Sequence, residues 1–162
     1  MKRAFYAWVL GFSIVAIVMI AVGGYFVFQW TRGPLPQHEG RVELAGLNET
    51  VTVVRDENGI PNIYASNLAD LRFAQGYVQA QDRWWQMEFW RHTGAGRIQE
   101  LTGQTDALMS TDVFIRVAGW EASARRDLEA LSPDVLQQLE NFSAGVNAYI
   151  NSRSVSELAF EY

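Results

Sequence analysis

The sequence predicts an α+β chain, mainly α-helical after a short antiparallel β unit, preceded by an N-terminal transmembrane helix. Three observations carry this. Ala4 to Phe28 contains no charged residue, residues 41–65 are rich in β-branched side chains broken by turn formers, and from Leu68 onward apolar residues recur at helical spacing. A length of 162 residues suits one ordinary domain. A 49% apolar and 13% aromatic composition excludes a disordered chain.

The uncharged run covers 25 residues, about 37 Å as a helix against a hydrocarbon core of about 30 Å. Lys2 and Arg3 precede it and Arg32 alone follows closely, which favours a single-pass helix with a cytoplasmic N-terminus and the main domain outside the cytoplasm. Tyr25, Phe26, Phe28 and Trp30 crowd the far end, where aromatic rings favour the membrane interface. A cleavable signal peptide is the competing reading, with Ala21-Val22-Gly23 as its small-x-small site. The apolar run, however, exceeds a usual h-region and continues past that site. Residues 1–31 are therefore read as cytoplasmic terminus and membrane anchor. Residues 32–40 form a linker with two prolines and two glycines, and residues 41–162 an incomplete domain.

In that domain Arg41–Leu44 alternates polar and apolar residues and Val51–Val54 is β-branched throughout, so both read as strands joined by a turn at Gly46–Glu49. Asn58-Gly59 marks the next turn, and Ile60–Ala65 reads as the return strand, with Pro61 confining it to an edge or to a start just after the proline. Ser66 or Asn67 caps a helix from Leu68, with Asp70 suited to its dipole. Leu71, Ala74, Val78, Trp85 and Phe89 form its apolar face, and Gly94 and Gly96 end it. A turn or two follows at Arg97–Leu101, closed by Gly103. A further helix is expected from Asp112 to Ala130, and another opens at Ser132-Pro133-Asp134. Gly76 and Gly145, each inside a helix, point to close backbone approaches. The expected core is Leu71, Val78, Trp85, Phe89, Leu136, Leu139, Phe142 and Val146.

Removing Lys2 and Arg3 from the count takes the net charge from −5 to −7, and the twelve arginines are scattered, which excludes a nucleic-acid interface. The lack of cysteine removes any disulfide framework or thiolate metal site. His38 and His92 are too far apart to suggest a zinc site within this stretch, so no metal is expected in it.

Four ordered stretches carry a resemblance. Val53–Ala65, with Arg55, Asp56, Gly59 and Pro61, is similar to V-x-R-D-x-x-G-x-P-H-I-x-A of the penicillin acylase family. Gly76–Glu88, with Tyr77, Gln81, Asp82, Arg83, Gln86 and Met87, resembles that family's G-Y-x-x-A-Q-D-R-x-x-Q-M. Arg91, Gly96, Arg97, Glu100 and Gly103 match R…G-R…E-x-x-G, and Ala144–Ile150, with Gly145 and Asn147, looks like A-x-G-x-N-A-x-I. Asn62 departs from the pattern by replacing the usual His, which touches the strand more than the activity.

The resemblance implies an N-terminal nucleophile hydrolase. In such a protein the αββα precursor cuts itself into α and β segments and frees a Ser, whose α-amino group then acts as its base. That Ser attacks the carbonyl of an N-acyl amide, and water hydrolyses the acyl-enzyme. It further implies that this chain is the first part of the α segment, that its partners are the rest of the α segment and the β segment, and that any calcium belongs to the complete protein. The ending Glu157–Tyr162 is expected to be an interruption.

Read on their own, the motif residues are structural, and no catalytic residue is assigned. Asp82-Arg83 in a Trp-rich helix reads as an ion pair that fixes packing, and Asp56 as a turn bond acceptor. Trp84, Trp85, Phe89 and Trp90 read as core or subunit contacts before they read as an acyl pocket. His92 reads as solvated or capping. Ser66, Ser110, Ser123, Ser132, Ser143, Ser152, Ser154 and Ser156 lack the G-x-S-x-G elbow. A membrane-anchored helical binding or scaffold module without catalysis is the alternative, and the reading frame beyond Tyr162 separates the two.

Overall fold

The computed structural model of the chain describes residues 2–161, so an expectation resting on Tyr162 lies outside the described residues, as do the side chains of Lys2 and Arg3 behind the orientation reading. The first element is helix α1, Lys2–Arg32, whose stretch Leu10–Arg32 is long and apolar enough to cross a membrane and is not buried in the protein.

Beyond it, the β unit is smaller than the sequence predicts. Strands β1 (Thr52–Arg55) and β2 (Pro61–Tyr64) pair antiparallel, with Val53 opposite Ile63 and Arg55 opposite Pro61. Proline opens β2, where its missing N–H costs no ladder bond. The expected strand at Arg41–Leu44 does not form. Alternation makes a strand possible, but backbone groups need a partner ladder, and no neighbouring strand pairs with this stretch.

Helix α2 (Leu68–Gly94) starts as expected, with the Asn67 side chain accepting from the Asp70 N–H, and ends on Ala95. It is not straight: Arg83 sits at φ −142°, ψ 25°, a kink that periodicity did not disclose. A short turn, α3 (Gln99–Thr102), is closed by Gly103 at φ +84°. The single helix expected over Asp112–Ala130 is two helices, α4 (Asp106–Ala118) and α5 (Trp120–Glu129), broken by Gly119 at φ +73°. A left-handed residue ends a helix by turning the chain out of the hydrogen-bond ladder, and only glycine does so without a Cβ penalty. Helix α6 (Pro133–Asn151) begins at the expected place, although the Ser132 side chain makes no capping bond. A last turn, α7 (Val155–Leu158), carries a capping box between Ser154 and Glu157.

Helices α2 and α6 form the most extensive pairing among the described residues, and the core lies between them. Of the expected core, Val78 is buried. Leu71, Trp85, Phe89, Leu136, Phe142 and Val146 are half-buried, and Leu139 is 45% exposed. The deepest apolar positions are Phe73, Ala74, Ala80, Ile98, Ile115, Tyr149, Leu158 and Ala159. The small residues are there because the two helices nearly touch. A Cβ on Gly76 would overlap the Phe142 carbonyl and lie 3.1 Å from Val146 N. A Cβ on Gly145 would overlap the Phe73 carbonyl and lie 2.9 Å from Tyr77 N.

Candidate functional site

The motif residues gather at three places, each a joint between elements. The first is the β hairpin on α2. Arg55, at the end of β1, donates Nη1 to Asp82 Oδ2 at 2.8 Å and Nη2 to Asp82 Oδ1 at 2.7 Å, a bidentate pair whose geometry only a planar guanidinium supplies. Its remaining donors reach Gly59 O at 3.0 Å and Gln81 Oε1 at 3.3 Å. Asp82 therefore pairs with Arg55 and not with its neighbour Arg83. Adjacent residues on a helix point about 100° apart, and at the kink Arg83 donates to Gln86 Oε1 at 3.4 Å. Asp56 Oδ1 accepts from Asn58 N and Ile60 N, both at 2.9 Å, and Gly59 closes the turn at φ +78°, as expected for this motif. Asn62 Nδ2 reaches Ile60 O at 3.3 Å.

The second joint is the far end of α2. Glu88 accepts from Arg91 Nε and Nη2, each at 2.8 Å, and its Oε1, which takes the Nη2 bond, also lies 3.4 Å from His92 Nδ1. The Arg91 hydrogen bond outweighs burial and holds the Glu88 carboxyl below its ordinary value. His92 is buried, which corrects the solvated reading: its Nδ1 also contacts Glu88 O at 3.0 Å, and α3 folds over it. Arg97 and Glu100 pair at 2.6 and 2.8 Å. Gly96, at φ +64°, accepts from Arg116 Nε at 2.7 Å, and a Cβ there would lie 2.7 Å from Asp112 O. Asp112 completes this joint and sequence reasoning missed it. Burial pushes its carboxyl up, but the Ile98 N–H at 3.0 Å and the Gln99 donors more than offset this, leaving it below the ordinary value.

The third is the α2–α6 contact. Gly76 and Gly145 set the spacing. Tyr77 meets Tyr149 edge-on, with ring centroids 5.6 Å apart, and Met87 packs on the Ala80–Tyr149–Leu158 cluster. Tyr149 is fully buried and its hydroxyl has no partner among the described residues, nor has Trp84 Nε1. Burial pushes the tyrosine pKa up. Asn147 is exposed. Trp84, Trp85 and Phe89 are half-buried, whereas Trp90 is exposed beside a groove that includes Arg83 and Gln86.

A further tether, also missed, is Asp70. Its buried carboxylate accepts from Asn48 N, Glu49 N, Asn48 Nδ2 and Asn67 Nδ2 at 2.7–3.1 Å, tying the loop before β1 to the start of α2. The Asn48 N–H is the largest influence and, against the cost of burial, keeps the carboxyl below its ordinary value. The Asn67–Asp70 spacing was visible in the sequence, but the partners more than twenty residues back were not. Among the described residues no three His, Asp or Glu side chains converge to hold a metal. These joints can orient segments, but none pairs a nucleophile with a base.

Comparison with known proteins places this arrangement. Residues 50–162 match the family model for penicillin amidase. The chain is 42% identical over 118 residues to penicillin acylase 2 proenzyme of Pseudomonas sp. (strain SE83), covering 73% of this chain and 15% of that protein. It is 35% identical over 140 residues to the acyl-homoserine lactone acylase QuiP of Pseudomonas fluorescens (strain Pf-5), covering 86% of this chain and 17% of that protein. A thermostable penicillin G acylase from Alcaligenes faecalis superposes with a TM-score of 0.59 at 33% identity, over 68% of this chain and 58% of that one. The chain thus spans about a sixth of the length of these curated relatives.

Proposed function

Because the chain belongs to the penicillin amidase family, we propose that it is the leading, membrane-anchored portion of an acylase that hydrolyses a linear N-acyl amide with a Ser nucleophile supplied by polypeptide beyond Tyr162. The family match over residues 50–162 carries this reading. In support, the motif side chains whose bonds are described are spent on internal joints, which suits a portion that scaffolds a site without containing it. Relatives named for penicillins and for acyl-homoserine lactones support an N-acyl amide as the substrate class.

The chemistry needs a hydroxyl made nucleophilic by a nearby amine, an acyl-enzyme, and its release by water, with an oxyanion hole holding the developing charge. The calcium that the family resemblance implies for the complete protein finds no ligand set among the described residues. Asp70 and Asp112 are the buried aspartates, and both are committed to N–H donors, which a cation would have to displace.

The test is expression of the complete protein followed by intact-mass analysis and assay on a chromogenic phenylacetyl anilide and an acyl-homoserine lactone. The expected result is two chains, the second beginning with Ser, and turnover that disappears when that Ser becomes Ala. Turnover by an uncut chain, or none on any N-acyl amide after maturation, overturns the proposal.

A further inference from the structure

The stretch after α1 reads in sequence as a linker, yet it is clasped. Arg153 Nη1 donates to Gly33 O at 3.2 Å. A Cβ on Gly33 would lie 3.6 Å from Glu157 Cγ and 3.8 Å from Ser156 O, so α7 leaves room for little more than a methyl group beside the helix exit. Pro34 is buried, and the Trp30 and Phe160 rings meet edge-on with centroids 6.4 Å apart. Three residues after Pro34, Gln37 O accepts from Gln81 Nε2 at 3.3 Å. A free nine-residue linker would let the domain swing, but these bonds hold it against the last turn of α1.

The end of α1 has the character of an interfacial segment. Tyr25, Phe26, Phe28 and Trp30 are all exposed around it, and the Arg32 guanidinium lies 4.4 Å from the Phe28 ring centre. Phe160, about half exposed, extends this aromatic collar from the α7 side. Arg32 and Arg153 are balanced by Glu157 and Glu161, so the collar has no net charge and fits a zwitterionic headgroup layer better than an anionic one.

We propose that Arg153–Phe160, clasped to the end of α1, rests in the headgroup layer of the bilayer that α1 spans, seating the domain directly on the lipid surface. This rests on the anchor reading above. The amide-bearing substrates of such an enzyme would then meet a domain fixed at the interface, not one roaming on a tether.

The experiment uses the complete protein in phosphatidylcholine vesicles, with a single fluorophore-bearing thiol at Ile20→Cys or Ser156→Cys, and lipids brominated at shallow or deep acyl positions as quenchers. Ile20 should be quenched best by the deep label. Ser156 should be quenched by the shallow label, and that quenching should be lost in the Trp30→Ala, Arg153→Ala double variant while quenching at Ile20 persists. If Ile20 is quenched but Ser156 is quenched no more than free fluorophore, the seat is wrong and the anchor stands. If Ile20 is not quenched, both fail. Quenching at Ser156 that survives the double variant overturns the clasp.

Discussion

Asp70 does at residue scale what a strand would otherwise do for the loop before β1. One carboxylate satisfies two backbone N–H groups, at Asn48 and Glu49, that have no ladder to join. Asp70→Asn keeps the shape but gives up the charge and one acceptor, so it should destabilise the complete protein by about 1–3 kcal/mol in urea titration at pH 7. Asp70, Glu88 and Asp112 all have carboxyls held below their ordinary values when folded. Unfolding returns them to about 4, so their contribution is full above about pH 5 and is lost as pH falls through and below about 4. The Asp70→Asn variant should therefore show a flatter loss of stability than the parent as pH falls from about 5 to below about 4. Arg55 is tested by comparison. Arg55→Lys retains charge but not the two-pronged geometry, and Arg55→Ala leaves Asp82 half-buried without its partner. Alanine should cost about 2 kcal/mol, with lysine recovering only part of it, measured as midpoint shifts.

At the scale of elements, the α2–α6 contact is governed by what is missing from two residues. The Gly76 and Gly145 overlaps are with carbonyls, which cannot rotate away as a side chain would. Gly76→Ala or Gly145→Ala should each cost about 3 kcal/mol or more by forcing the helices apart. Once one methyl has separated them, the second finds room, so the double variant should lose clearly less than the two single losses combined. A double-mutant cycle reads this directly, and strict additivity would mean that the two contacts are independent. The α4–α5 break behaves differently. Gly119 faces open space, so Gly119→Ala meets only the left-handed backbone penalty, about 1 kcal/mol.

The molecule as a whole leaves apolar surface bare. Phe114 is 64% and Val117 82% exposed on α4, Trp120 projects from α5, and Val53, Val54 and Tyr64 stand exposed on the two-stranded sheet. Soluble domains seldom leave such patches without a partner, and under the proposed function the partner is the remaining polypeptide. Residues 33–162 expressed alone should accordingly bind a hydrophobic dye or self-associate and hydrolyse neither test substrate. Turnover above a heat-killed control, abolished by one internal substitution, would reveal a site within these residues.

Local signals decided much of this protein. The apolar run of α1, the Asn67 cap, the Asn58-Gly59 turn and Pro133 each act through neighbours within a few residues, so their consequences were legible in order along the chain. The resemblance was legible for the same reason, because its motifs are contiguous. What only tertiary structure decided is the choice among partners that are equally near or equally far in sequence. Asp82 lies next to Arg83 but takes Arg55, His92 is covered by α3, and Asp112 serves the backbone of Ile98 and Gln99. Arg41–Leu44 has the pattern of a strand and no ladder to join, while Leu139 has helical spacing and no element above it. A periodic pattern states which face is apolar. Whether that face is covered depends on what the rest of the chain brings to it.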